Sequence, residues 1–152
     1  MNHRLHSKLD VLIIGGWMIT HDQILPSIYH LQRLGAVGAI RIVALNSAPL
    51  RTLAEAPQLA EAFPGQGFEA LPALDSPPQE MFPDLYKDAI AGLAPDQVVV
   101  VAVPDHLHDP VIRQALAHGQ HVLSVKPLVL KHAQAIEIEQ TARERGLFVG
   151  VE

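Results

Sequence analysis

The run "DQVVVVAVP", residues 96–104, constrains this chain more than any other stretch. Its apolar residues are continuous rather than alternating, and they are mostly valine. A strand with one wet face alternates; a strand buried on both faces does not. A strand of the second kind needs helices above and below it, and so needs crossovers between parallel neighbours.

The rest of the chain supplies both. Residues 9–14 form another short β-branched run, closed by Gly15. Residues 40–45, 121–125 and 147–151 read the same way, and residues 68–71 form a weaker strand. Helical patterns lie between them. In residues 23–34, Ile24, Ile28 and Leu31 share a face, and Gly35 supplies a stop. Pro26 sits near the start of that helix, where a missing N–H costs least. Residues 84–93, residues 110–118 before Gly119, and residues 131–145 before Gly146 complete the set. The alternation predicts an α/β fold: a Rossmann-type, doubly wound parallel sheet with helices on both faces, in three αβα layers. With 152 residues the chain has the size of one domain, and residues 1–152 are read as such.

Residues 49–83 are the exception, holding seven of the twelve prolines. Short helices over residues 50–62 are expected there, with loops and short strands beyond. The prolines alternate with apolar residues that need burial, so no domain boundary is drawn; a disordered linker is the competing reading.

Composition excludes several classes. There is no cysteine, which removes disulfides and thiolate metal sites. The net charge is −5 and the basic residues are scattered, which argues against nucleic acid and acidic membrane. No apolar run is long enough to span a bilayer. "MNHRLHSKLD" lacks the apolar core of a signal peptide, so a cytoplasmic location is expected. His106 and His108 form a pair, and His118 and His121 flank Gly119, but no third ligand stands at metal spacing, and no metal is expected.

Three constellations carry chemistry. The first is "GGWMIT", from Gly15 to Thr20. In a dinucleotide fold the turn after the first strand brings backbone N–H groups and a helix N-terminus to a pyrophosphate. Gly15 fills the tight-turn position and Gly16 follows it. Trp17 stands where a second glycine lets the backbone approach the phosphates. Met18 and Ile19 lead into the helix, and Thr20 replaces the third glycine. A sharp turn with no nucleotide is the competing reading of this stretch alone. The second constellation is the end of the second strand. An acidic residue there would hold a ribose and repel a 2′-phosphate; this chain has Asn46, Ser47 and then Arg51. An arginine pairs well with phosphate, so these residues lean towards NADP over NAD. Ordinary turn residues and a solvated arginine would look the same.

The third is "AVPDHLHDPVIRQALAHGQHVLSVKPLVL", residues 102–130. Pro104, His108, Ala115, Leu116, Gly119, His121, Val122, Lys126 and Pro127 match, at unbroken spacing, a pattern of small residue and Pro, Asn-x-x-His, Ala-Leu, Gly, His-Val and Glu-Lys-Pro. "THDQILPSI", residues 20–28, matches the first helix of the same pattern. The chain thereby resembles the glucose–fructose oxidoreductase and inositol dehydrogenase family of NAD(P)-dependent sugar and polyol oxidoreductases. The resemblance implies that the segment holding Val103, Pro104, Asp105 and His108 lies beside the nicotinamide half of the cofactor. It implies that Lys126 reaches the substrate hydroxyl, where a base or proton relay is needed. Two positions depart from the pattern: Val125 replaces Glu, and Asp105 replaces Asn.

Family members continue into a second domain that completes the substrate site and usually carries the oligomer interface. The resemblance therefore implies the nicotinamide-binding piece of a longer oxidoreductase, inactive alone, which meets its small-molecule substrate only with a second domain. A homo-oligomer is expected, through an apolar face left open where that domain would pack. A non-catalytic Rossmann module for assembly or sensing, with cofactor binding weakened by Trp17 and Val125, is the alternative.

Overall fold

The computed structural model describes residues 7–152. Residues 1–6, part of the N-terminal stretch judged above for signal-peptide character, lie outside the described residues. Six parallel strands form one sheet: β1 (Leu9–Ile14), β2 (Val37–Val43), β3 (Glu69–Leu71), β4 (Val98–Val101), β5 (His121–Ser124) and β6 (Val149–Val151). Their order is β3-β2-β1-β4-β5-β6. The sheet grows outward from β1 in one direction, returns, and grows in the other, which is the doubly wound pattern.

The helices are α1 (Leu25–Arg33), α2 (Ser47–Ala54), α3 (Pro57–Ala62), α4 (Leu85–Ala91), α5 (His108–Ala117) and α6 (His132–Arg145). Because a strand points successive side chains to opposite faces, β1 feeds two cores. Val11 and Ile13 join Leu25, Ile28, Leu50 and Leu59 from α1 to α3. Leu12 and Ile14 join Ile90, Ile112 and Ile138 from α4 to α6. The sheet is therefore covered on both faces, as the valine run of β4 requires; Val99, Val100 and Val101 are fully buried.

Two boundaries differ from the sequence reading for local physical reasons. The second strand, expected at residues 40–45, runs Val37–Val43. Gly38 hides its start. A Cβ there would fall 2.7 Å from the carboxylate of Asp10, which accepts the N–H of Ala39 at 2.8 Å. Leu45, expected in the strand, is left beyond it. The first helix begins early, as a π-helical turn over Thr20–Ile24. Pro26 cannot donate to the carbonyl four residues back, and its ring crowds that turn. The chain widens just before it, and Leu25 donates to the Thr20 carbonyl instead.

The proline-rich segment is built into the fold rather than a linker. It forms α2, α3 and β3, and β3 pairs with β2 through Arg41–Glu69, Ile42–Ala70 and Val43–Leu71.

Candidate functional site

A cleft of about 370 Å³ opens over the C-terminal ends of β1, β2 and β4. This is where the winding of the sheet reverses, the place where open α/β sheets bind ligands. Its floor is Ile14, Gly15 and Gly16 from β1, and Val43, Ala44 and Leu45 from β2. One wall is Ala102, Val103 and Pro104, backed by Leu107, Pro110 and Val111. The other is Phe82, Pro83 and Asp84, from the loop that enters α4, and Tyr86 in its first turn. Trp17 stands at the mouth, 69% exposed.

Gly15 is forced at its position. Its φ is +114°, a conformation that side chains rarely adopt, and an added Cβ would lie 2.0 Å from the carbonyl oxygen of Ala102. The tight turn thus lets β1 close against β4, where Ala102 N–H donates to Ile14 O at 2.8 Å, and against β2, where Gly15 N–H donates to Val43 O at 2.9 Å. Gly16 is not forced in this way. A Cβ there would meet Leu50, Pro49 and Ala44 at 3.4–3.5 Å, close to ordinary contact. Thr20, in the place of the third glycine, is fully buried, and its hydroxyl donates to Gly15 O at 2.7 Å. That bond satisfies the hydroxyl and ties the helix start to the turn. The helical ladder begins with Thr20 and His21, both donating to Trp17 O. The N–H groups from Trp17 to Ile19 precede it and have no helical acceptor. Met18 is 74% exposed, and Ile19 packs on the first core.

The polar residues after β2 face a neighbouring loop. The side-chain oxygen of Asn46 caps α2 by accepting from Ala48 N–H at 3.0 Å, and its amide donates to Met81 Sδ at 3.5 Å. The Ser47 hydroxyl is buried and donates to Ser76 O at 2.7 Å. Arg51 donates to the carbonyls of Leu74 and Ser76.

His108 opens α5, fully buried. Its Nε2 lies 2.9 Å from Val103 O; its Nδ1 lies 2.6 Å from Pro127 O and 3.2 Å from both Leu128 O and Ser124 Oγ. One ring therefore bridges the exit of β4 and the segment after β5. Lys126 lies in that segment, exposed at the end of β5, with its N–H donated to Glu152 O at 3.0 Å. Val125 packs on the first core and Asp105 is exposed in a single helical turn before α5. His121 Nδ1 accepts from Phe148 N–H at 3.0 Å. Among the described residues, no group of three or more metal-binding side chains comes together, and no helix is long and apolar enough to cross a membrane.

Of the expected cofactor residues, the fold gathers Gly15, Gly16, Trp17, Val103 and Pro104 around the cleft. Met18, Ile19, Asn46, Ser47, Arg51, Asp105, His108, Val125 and Lys126 lie outside its lining. The sequence reading missed Leu45, Phe82, Asp84, Tyr86 and Leu107. The signal for the second wall was weak: an apolar pair in "MFPDLY" on a proline-rich stretch that otherwise reads as loop. Asp84 is the one charged residue lining the cleft among the described residues. It holds Lys87 Nζ at 2.7 Å, and this hydrogen bond, with the carboxylate charge behind it, raises the Lys87 ammonium above its ordinary value.

Residues 9–152 match the oxidoreductase family with an NAD-binding Rossmann fold. The chain belongs to this family. Among its relatives is dTDP-3,4-didehydro-2,6-dideoxy-alpha-D-glucose 3-reductase of Actinomadura kijaniata, 32% identical over 131 residues; the match takes in 77% of this chain and 35% of that enzyme. The structure of KijD10, a 3-ketoreductase from the same organism in complex with NADP and TDP-benzene, is 26% identical. It superposes with a TM-score of 0.65 over 95% of this chain and 37% of that one. A Yersinia pestis structure at 18% identity shares the fold, with a TM-score of 0.66 over 96% of this chain and 34% of that one. The chain thus spans about a third of the length of these relatives. It carries the NAD-binding Rossmann fold of that family.

Proposed function

We propose that this domain holds the nicotinamide dinucleotide, NAD or NADP, of a cytoplasmic enzyme that moves hydride between the cofactor and a sugar, polyol or related hydroxy compound. The observation that supports it best is the cleft at the sheet's reversal, closed beneath by Gly15 against Ala102. Its apolar walls suit a flat base. The free N–H groups from Trp17 to Ile19, at a helix N-terminus, suit a phosphate through both hydrogen bonds and the helix dipole. When bound, the cofactor would supply or accept the hydride. Val103 and Pro104 would form its wall, with Asp105 following them. Lys126 would give or take the proton of the substrate hydroxyl, and Val125 leaves it without the carboxylate neighbour of the family pattern.

Lys126 alone cannot position a substrate. We therefore propose that a second domain of the whole protein completes the site, and that the isolated chain binds cofactor without turnover. Exposed apolar residues such as Leu130, Ile136, Phe148 and Val151 are candidates for burial when that domain, or a second copy, packs.

Trp17 is the chain's single tryptophan and sits at the cleft mouth, so its emission reports on the site. Titration with NADH, NADPH or NAD is expected to give a saturable change; no response at millimolar cofactor would overturn the assignment. Trp17→Gly should tighten binding by about tenfold, roughly 1.4 kcal/mol, by freeing the phosphate approach. Cofactor fluorescence would follow that variant, and unchanged affinity would show that the indole already stands clear.

A further inference from the structure

The cleft carries its charge in an unexpected place. The ribose of a dinucleotide is normally read at the end of β2, and in this chain the polar residues there are engaged elsewhere. Asn46, Ser47 and Arg51 tie the start of α2 to the loop over residues 74–81, and Arg51 turns its Nε and Nη2 edge to the carbonyls of Leu74 and Ser76. The Phe82 N–H closes the same stitch on Leu45 O at 2.8 Å. For Arg51 to grip a phosphate through that same Nε and Nη2 edge it would have to release the loop that leads into the second wall of the cleft.

That wall holds Asp84, the only charged residue lining the cleft among the described residues. A ribose with both hydroxyls free can donate to a carboxylate; a 2′-phosphate can only be repelled by one. Asp84 is paired with Lys87, whose Nζ it holds at 2.7 Å and which lies outside the lining. A phosphate that drew Lys87 away would leave Asp84 unpaired within a screening length of its own charge. Arg51 leaned the sequence reading towards NADP; its engagement with the loop and the place of Asp84 argue for the other cofactor.

We propose that this cleft selects NAD(H) over NADP(H), with Asp84 on the loop before α4, rather than a residue at the end of β2, as the discriminating charge. The proposal rests on the reading of the cleft as the dinucleotide site. The test is a parallel titration of the chain with NADH and NADPH. NADH is expected to bind at least about tenfold tighter, and Asp84→Asn should narrow the gap by strengthening NADPH. Arg51→Ala should weaken both cofactors alike, since it acts through the loop. Asp84 and Lys87 are exposed, so their variants should fold. Equal or tighter NADPH binding would overturn the proposal while leaving the cofactor site intact. A loss confined to NADPH in Arg51→Ala or Lys87→Ala would also overturn it, by naming the phosphate's true partner. Binding of neither cofactor would overturn the dinucleotide reading itself.

Discussion

Gly15→Ala is expected to destabilise the chain by about 4 kcal/mol or more, a large part of the roughly 5–15 kcal/mol available to a domain of this kind. Two costs add. A side chain at φ +114° carries backbone strain of about 1–3 kcal/mol. The new Cβ also lands 2.0 Å from the Ala102 carbonyl, and that oxygen belongs to backbone at the exit of a central strand. Only separation of β1 from β4 relieves the contact, at a typical overpacking cost of about 1–3 kcal/mol. Gly16→Ala is the control: its Cβ meets neighbours at 3.4–3.5 Å and should cost less than about 1 kcal/mol. Urea unfolding of both variants measures the difference. Equal stabilities would mean that the turn is not packed against Ala102.

His108→Leu should cost about 3 kcal/mol, because the volume is roughly kept but the polar partners are not. The buried imidazole is the partner of carbonyls on two segments, Val103 on one side and Pro127 and Leu128 on the other. Leucine removes the ring N–H, so the carbonyl it serves is left without that donor, at about 1–3 kcal/mol if it stays dry, and the shape of the contact on the other side is lost as well. The loss should also be local. Amide exchange should quicken around Val103 and over residues 124–128, the stretch that carries Lys126. His118→Leu, which loses one exposed bond to Gln114 O, should cost less than about 0.5 kcal/mol. A similar small loss for both would remove His108 as the clasp between these segments.

Both residues were visible in the sequence, but for different reasons. Gly15 was legible because a strand that ends in glycine before a helix is a local pattern. His108 was legible only as a member of a spaced motif; nothing local shows that a histidine amid polar residues will be fully buried. The strands were read from uninterrupted apolar runs, and β4 above all could only be central. Where a strand contains glycine, as at Gly38, the same rule placed its start three residues late. The π turn before α1 needed the proline and its preceding carbonyl to be considered together. The second wall of the cleft was least legible. Leu45 was assigned to a strand, and Phe82, Asp84 and Tyr86 sat in or beside a stretch dominated by proline.

From the sequence alone came the layer order of the fold, the turn at Gly15 and the motif from Pro104 to Pro127, because periodicity and spacing are properties of the chain itself. What only tertiary structure decided is how the side chains after β2 are used. Asn46, Ser47 and Arg51 could equally have faced a ligand or a loop. Ser47 and Arg51 donate to the carbonyls of Leu74 and Ser76, since a loop folded onto α2 leaves backbone acceptors that must be satisfied, and Asn46 donates to the Met81 sulfur. The same packing brought Asp84, almost forty residues further on, to the cleft edge, and no local pattern records that meeting.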